Sequence, residues 1–389
     1  MYLVAFDISK YKHDCLIMNE FGDITIPWFS FNNDHEGFMY FKSIYDSLDH
    51  TQVIRIGLEA TGHYGKNLKH FLTSLGLSYM EFNPILTDSF RKATSVRKRK
   101  TDKVDVEVIA NMLRSFEYRE TPPNDDFYQT LKDLTRYRTK ISKQIAVEKN
   151  RLINILDKLF PEFTKILDPF SVTGTYVLTN YPNPKSILNA DLKELFAILY
   201  KSSKHHFKLD RFQSLIISAA NTVGNYSSSY EFLLNETIEN INTLTKQQKR
   251  VEKEITRLLE PIHSPLLRIK GLGIITAAIL IAEFQNFENF NYSKQVISFS
   301  GLDTSIKQSG NMNVIGKMTK RGSKYIRRAI IFTMLPLMNS QTKFKEYYQK
   351  KRKEGKKKTC AQTHLAKKFL RIIFHLVKNN IEFDPLMIK

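Results

Sequence analysis

With 389 residues, 42% of them hydrophobic and 25% charged, the chain has the composition of a globular protein with room for two or three domains, not of a disordered or fibrous one. Two cysteines exclude a disulfide framework or a cysteine zinc site and suit a reducing cytoplasm; the start "MYLVAFDIS" lacks a signal-peptide pattern, and the longest apolar run, 271–284, is too short for a bilayer, so no membrane is expected. The net charge of +20 is uneven, −5 over residues 1–90, +5 over 91–105 and +17 over 305–389, and such concentration predicts a polyanionic partner, nucleic acid first.

In chain order, 2–9, 15–31 and 53–60 read as strands, with a turn at Phe21–Asp23 dividing the second. Helices are predicted at 37–48 and 65–76, the latter closed by Gly76, followed by a strand in "LSYMEFN" and a helix at 104–116. This first part is therefore α/β. "ETPPNDD" (120–126) reads as a linker. Leu134, Ile141, Ile145, Leu152, Ile155 and Leu159, and later Ile238, Ile241, Leu244, Val251, Ile255 and Leu258, keep the spacing of long coiled-coil helices. They predict a helical hairpin carrying a small helical cap built from the irregular insert 161–229; two ordinary amphipathic helices packed on a domain fit the same pattern. "EPIHSP" (260–265) breaks the second helix. A compact, mainly α region follows, with a Gly-rich opening, a basic middle and helices at 323–340 and 361–379.

Four carboxylates stand out. Asp7 lies within an apolar strand, where a charge is costly unless paired, hydrogen-bonded or metal-bound. Glu59 closes a strand before a glycine turn, at the sheet edge where ligand sites of α/β proteins gather. Asp102 and Asp105 open a helix on one face, directly behind the cationic run Arg97, Lys98, Arg99 and Lys100. Each has a structural reading, as turn or helix cap. As a convergent set they require neutralising cations, and hard oxygen donors favour Mg²⁺ or Mn²⁺, ions that serve phosphoryl chemistry.

Near the other end, "LLRIKGLGIITAAIL" (266–280) is shaped like a helix-hairpin-helix, with Gly271 and Gly273 placed to let backbone N–H groups approach a phosphate; an ordinary tight turn before a buried helix fits equally. In "FSGLDTSIKQSGNMNVIGKMTKRGSKYIRRAII" (299–331), Ser309–Gly310 sits in a polar loop between Lys307 and Lys317. Downstream, Lys320, Arg321, Lys324, Arg327 and Arg328 are candidate phosphate contacts, the last three on one helical face.

"DISK", "LEATGHYG" and "KTDKVDVEVIA" resemble the N-terminal motifs of the DEDD insertion-sequence transposases, the IS one-ten family of bridge-RNA-guided recombinases. The block from Gly-Leu through Ser-Gly to Lys-Arg-Gly is similar to the C-terminal domain of that family. The resemblance implies an RNase H-like (RuvC-like) α/β domain at 1–125, a long coiled-coil helical segment at 126–262 and a mainly α transposase domain at 263–389. It implies that Asp7, Glu59, Asp102 and Asp105 are metal-binding acids and that Ser309 is a nucleophile forming a covalent link to DNA. It also implies donor and target DNA, a guide (bridge) RNA, assembly as a dimer or tetramer, and a cytoplasmic, nucleoid-associated site of action in a bacterium or archaeon. No nucleotide cofactor is needed, because the broken phosphodiester's energy is kept in the link. From the residues alone, Ser305 rivals Ser309, and a hydrolytic, junction-resolvase-like nuclease using the same acids rivals the recombinase.

Overall fold

The computed structural model describes residues 1–94, 101–121, 126–309 and 312–385, and of 306–309 and 312–315 the backbone alone. It divides into two compact units, Met1–Asn124 and Asp125–Lys389.

The first unit is a five-stranded mixed sheet in the order β3-β2-β1-β4-β5. Strands β1 (Tyr2–Ile8), β2 (Lys12–Asn19) and β3 (Ile24–Asn32) form an antiparallel meander. After α1 (His35–Asp46), β4 (Ile54–Glu59) pairs parallel to β1; α2 (Lys66–Ser74) then leads to β5 (Met80–Phe82), parallel to β4. The unit closes with α3 (Pro84–Thr94) and α4 (Asp102–Ser115).

Side-chain alternation sorts the strands between two cores. Val4, Phe6 and Ile8 of β1 face one way with Cys15, Ile17, Ile56 and Leu58, and pack with Phe41 of α1 and Leu68 and Leu72 of α2. Leu3 and Ala5 face the other way with Leu16 and Met18, and pack with Val106, Ile109, Met112 and Leu113 of α4. Asp7, Asp14 and Glu59 follow this second parity, so they stand on the α4 side of the sheet.

The second unit is helical apart from one hairpin. Helices α5 (Asp126–Leu159) and α11 (Ser228–Leu259) run antiparallel along each other: Leu131 shares a core with Ile255 and Leu259, Leu152 shares another with Leu234 and Ile238, and Arg138 pairs with Glu252 between them. The insert between them is ordered as five helices, α6 (Phe163–Ile166), α7 (Val172–Asn180), α8 (Pro184–Leu188), α9 (Leu192–Ser202) and α10 (Leu209–Ala220), gathered around Phe163, Leu195, Leu199 and Leu215 in the core they share with Leu152 of α5 and Leu234 of α11.

The remainder comprises α12 (Ile274–Phe284), α13 (Ser293–Phe299), the hairpin β6 (Thr304–Ser309) and β7 (Met312–Met318), α14 (Lys324–Ser340), α15 (Thr342–Lys353) and α16 (Lys358–Lys378). They share the core that holds the base of the α5/α11 pair. No helix among the described residues is long and apolar enough to cross a membrane.

Two expectations change. The polar loop expected around Ser309 is an antiparallel ladder, Thr304 opposite Met318 and Ser309 opposite Met312, in keeping with its β-branched Thr304, Ile306, Val314 and Ile315. The helix expected before the Gly271 turn is a single 3-10 turn, Pro265–Arg268. Pro265 fits the first turn, but only the five residues Leu266 to Lys270 follow it before Gly271 interrupts the helix.

Candidate active site

The acids assemble in the first unit because three elements end at one edge of the sheet. Asp7 is the penultimate residue of β1, and Glu59 closes β4 just beyond the last β1–β4 pair, Phe6 with Leu58. Gly57 precedes Glu59 on the same face, and a Cβ there would lie 2.6 Å from Leu113, so this glycine lets α4 lie close against the sheet. The Thr101 hydroxyl caps α4 by accepting from the Val104 N–H at 3.4 Å, which places Asp102 and Asp105 in its first turn, where the helix dipole favours carboxylates.

Asp7 bears the electrostatic mark of this crowding. Burial first, then the neighbouring charges of Asp105, Glu59, Asp102 and Asp14, push its carboxyl up to about 6. Asp14, which the sequence reading passed over, lies directly across from Asp7 in the β1–β2 register and is 1% exposed. It accepts from the Ser30 hydroxyl and pairs with Lys12 at 3.2 Å.

Cations offset the negative cluster. The Lys12 ammonium bridges Asp14 and Asp102, at 3.2 and 2.9 Å, and the Arg91 guanidinium bridges Asp105 and Asp88, at 3.1 and 2.6 Å. Among the described residues no three His, Cys, Asp or Glu side chains stand close enough to hold one ion in this arrangement. The donor set nevertheless fits a divalent cation chemically. It is all carboxylate oxygen, burial and then the neighbouring carboxylates raise Asp7, and Asp102 and Asp105 are held by an ammonium and a guanidinium group.

Arg97 to Lys100 lie outside the described residues.

In the second unit, Ser309 ends β6 and Lys307 lies two residues before it in the same strand, while Gly310 lies outside the described residues. Ser305, nearer the open end of the hairpin, donates its hydroxyl to the Lys317 carbonyl at 3.2 Å. Gly322 of the Lys-Arg-Gly stretch has φ of 142°, and a Cβ there would meet the Phe299 carbonyl oxygen at 2.4 Å. It allows the chain after β7 to press against the end of α13, so this glycine has a packing reason.

The basic residues around it divide by role. Lys320, Arg321, Lys324 and Arg328 are exposed. Arg327 instead donates to the carbonyls of Ser300 and Lys320, at 3.2 and 3.3 Å, and so fastens the turn from within. Gly271, with φ of 93°, approaches Ser340 and Pro336 of α14 within 2.8 to 3.2 Å of where a Cβ would sit, which makes it a packing glycine. Gly273 caps α12 with open space around it.

Residues 4–161 match the model of the DEDD transposases of the IS110 group, and residues 263–349 match that of the IS116/IS110/IS902 transposase family. Among curated relatives, the 43.6 kDa protein of insertion element IS110 from Streptomyces coelicolor is 23% identical over 298 residues, covering 74% of this chain and 73% of the relative. The 42 kDa protein of IS900 from Mycobacterium paratuberculosis is 23% identical over 304 residues, with the same coverage. The pilin gene-inverting protein of Moraxella bovis is 22% identical over 386 residues, 98% of this chain and 97% of the relative.

Proposed function

Starting from the premise that this chain belongs to the IS110 family of insertion-sequence transposases, we propose that it cuts and rejoins DNA through a phosphoserine link at Ser309, with Asp7, Glu59, Asp102 and Asp105 holding Mg²⁺ or Mn²⁺. The observation that carries this reading is the placement of the four acids at one sheet edge, Asp7 and Glu59 at the ends of β1 and β4 and Asp102 and Asp105 in the first turn of α4. The mixed sheet, with three antiparallel strands followed by two parallel ones and α4 across one face, supports an RNase H-like domain in the first unit. The antiparallel α5/α11 pair supports a coiled-coil segment between that domain and a C-terminal transposase domain.

A divalent ion, when bound, supplies positive charge against a phosphate and its developing negative oxygens. The chain's own residues do the rest. Asp7 and Glu59, fixed on strands, set the rigid side of the acid cluster, and Asp102 and Asp105 complete it from the helix. Lys12 and Arg91 neutralise the carboxylates before substrate arrives. The Ser309 hydroxyl attacks phosphorus, forming an Oγ–P bond, breaking one P–O bond and freeing a strand hydroxyl. The hydroxyl of the exchanged strand then attacks the phosphoserine, restores a phosphodiester and returns the serine. Lys320, Arg321, Lys324 and Arg328 grip phosphates along the bound strands. Guide RNA pairing with donor and target DNA, and assembly as a dimer or tetramer, complete the reading by family resemblance.

Denaturing gels of protein mixed with labelled donor DNA test it. Wild type gives a covalent adduct, Ser309→Ala gives none while still binding DNA, and Asp102→Asn loses the metal-dependent part of the activity. Adducts that persist in Ser309→Ala but vanish in Ser305→Ala would move the nucleophile. Cleavage with no adduct at all would favour a hydrolytic nuclease, and full activity in EDTA would remove the role given to the acids.

A further inference from the structure

The second unit contains a cavity of about 280 Å³ where α5, α12 and α14 meet. That is just below the roughly 300 to 1,000 Å³ of sites for drug-sized ligands, and so suits one flat ring system. Ile279 and Ala329 form a buried apolar floor, and Tyr325 forms a wall. At the rim, Phe332 is 69% exposed, which is unusual for a phenylalanine. The Arg328 guanidinium lies 5.2 Å from the centre of that ring.

The polar groups are placed unequally. Arg138, on the α5 side, is committed to Glu252 through Nε and Nη2. Arg328 has no ion-pair partner among the described residues and is solvent-exposed at the mouth.

An apolar slot, aromatic surfaces and a cation without a counter-charge among the described residues are together the chemistry that recognises a nucleobase and its phosphate. We propose that this cavity takes up a single unpaired nucleobase of a bound nucleic-acid strand, stacked on Phe332 and Tyr325 with the adjoining phosphate on Arg328. A second copy of the chain could also cover an exposed phenylalanine, but it would leave the Arg328 charge to be matched, whereas a nucleotide brings its own anion. The inference rests on the chain's membership of a DNA-transposing family and is independent of the roles given to Ser309 and the acids.

The test compares two DNA duplexes, one with a single bulged 2-aminopurine and one with the same base paired, by fluorescence titration and direct binding. Wild type should bind the bulged duplex about tenfold more tightly, the lower part of the range for one stacked base, and quench its fluorescence. Phe332→Ala, at an exposed position, and Ser142→Trp, which fills the cavity from α5, should each bring the ratio to near one, and Phe332→Trp should preserve it. Circular dichroism establishes that each variant is folded. Equal binding of both duplexes by wild type, or a preference that survives Phe332→Ala and Ser142→Trp, overturns the proposal. So does a change of oligomeric state in Phe332→Ala with the base preference intact, which would make this face a contact between copies. Absence of a Ser309 adduct would leave these binding ratios unchanged, so failure of that chemistry and failure of this site are separable.

Discussion

Asp7 holds a proton more readily than a free aspartate because it is buried and because four other carboxylates surround it. The folded form, at about 6 against an ordinary 3.8, binds the proton more tightly than the unfolded form does. The stability due to the protonated state is therefore present below about pH 4 and lost as pH rises through 6. The full shift corresponds to about 3 kcal/mol, and residual solvent contact reduces it to on the order of 1 kcal/mol. Denaturant titrations of metal-free protein should show this loss between pH 4 and 7 in wild type and a flatter profile in Asp7→Asn, which cannot ionise. Divalent ion reverses the balance by favouring the charged carboxylates. At tenfold its Kd, Mg²⁺ should stabilise wild type by about 1.4 kcal/mol, read as a rise in Tm, with little or no rise in Asp7→Asn or Asp102→Asn. The four acids were legible in the sequence because each interrupts an apolar pattern or opens a helix. Asp14, Lys12 and Arg91 were not. "SKYKHD" falls between the strands expected at 2–9 and 15–31, and only the antiparallel register of β1 with β2 sets Asp14 opposite Asp7.

At the scale of elements, the strands of the first unit and its helices α1, α2 and α4 follow their alternation and periodicity, whereas α3 (Pro84–Thr94) was not expected, and the long α5 and α11 follow their three-and-four spacing. The insert was less legible because its five helices are short and its apolar residues mix with Pro, Ser and Tyr, so periodicity has little length in which to show. What joins α5 to α12 was invisible for another reason: the partners are 147 residues apart. Glu283 of α12 is buried and accepts from Arg136 of α5 at 2.7 and 3.2 Å, and it also accepts from Ser323, the N-cap of α14. Removing only the cation would strand a buried charge. Arg136→Met should destabilise the second unit by about 3 to 5 kcal/mol in urea unfolding, and the double change Arg136→Met with Glu283→Met should recover most of it.

Across the whole molecule, charge is segregated: residues 1–90, with Asp7 and Glu59, carry −5, residues 91–105, with Asp102 and Asp105, carry +5, and the C-terminal stretch from 305 carries +17. Nucleic-acid affinity resting on the latter should fall steeply with salt. Changing Lys350 and Lys353 of α15 to Ala should lower the slope of log affinity against log salt by about 1 to 2, measured by fluorescence anisotropy, with less effect at high salt than at low. A slope identical to that of wild type would remove α15 from the contact surface. The antiparallel α5/α11 pair has a geometric consequence of its own. The chain leaves towards the α6–α10 core and returns beside its own starting point, so the pair acts as a ruler. Seven residues removed from each helix would draw that core inward by roughly 10 Å with the packing register preserved, while the ends joined to the rest of the second unit stayed where they are.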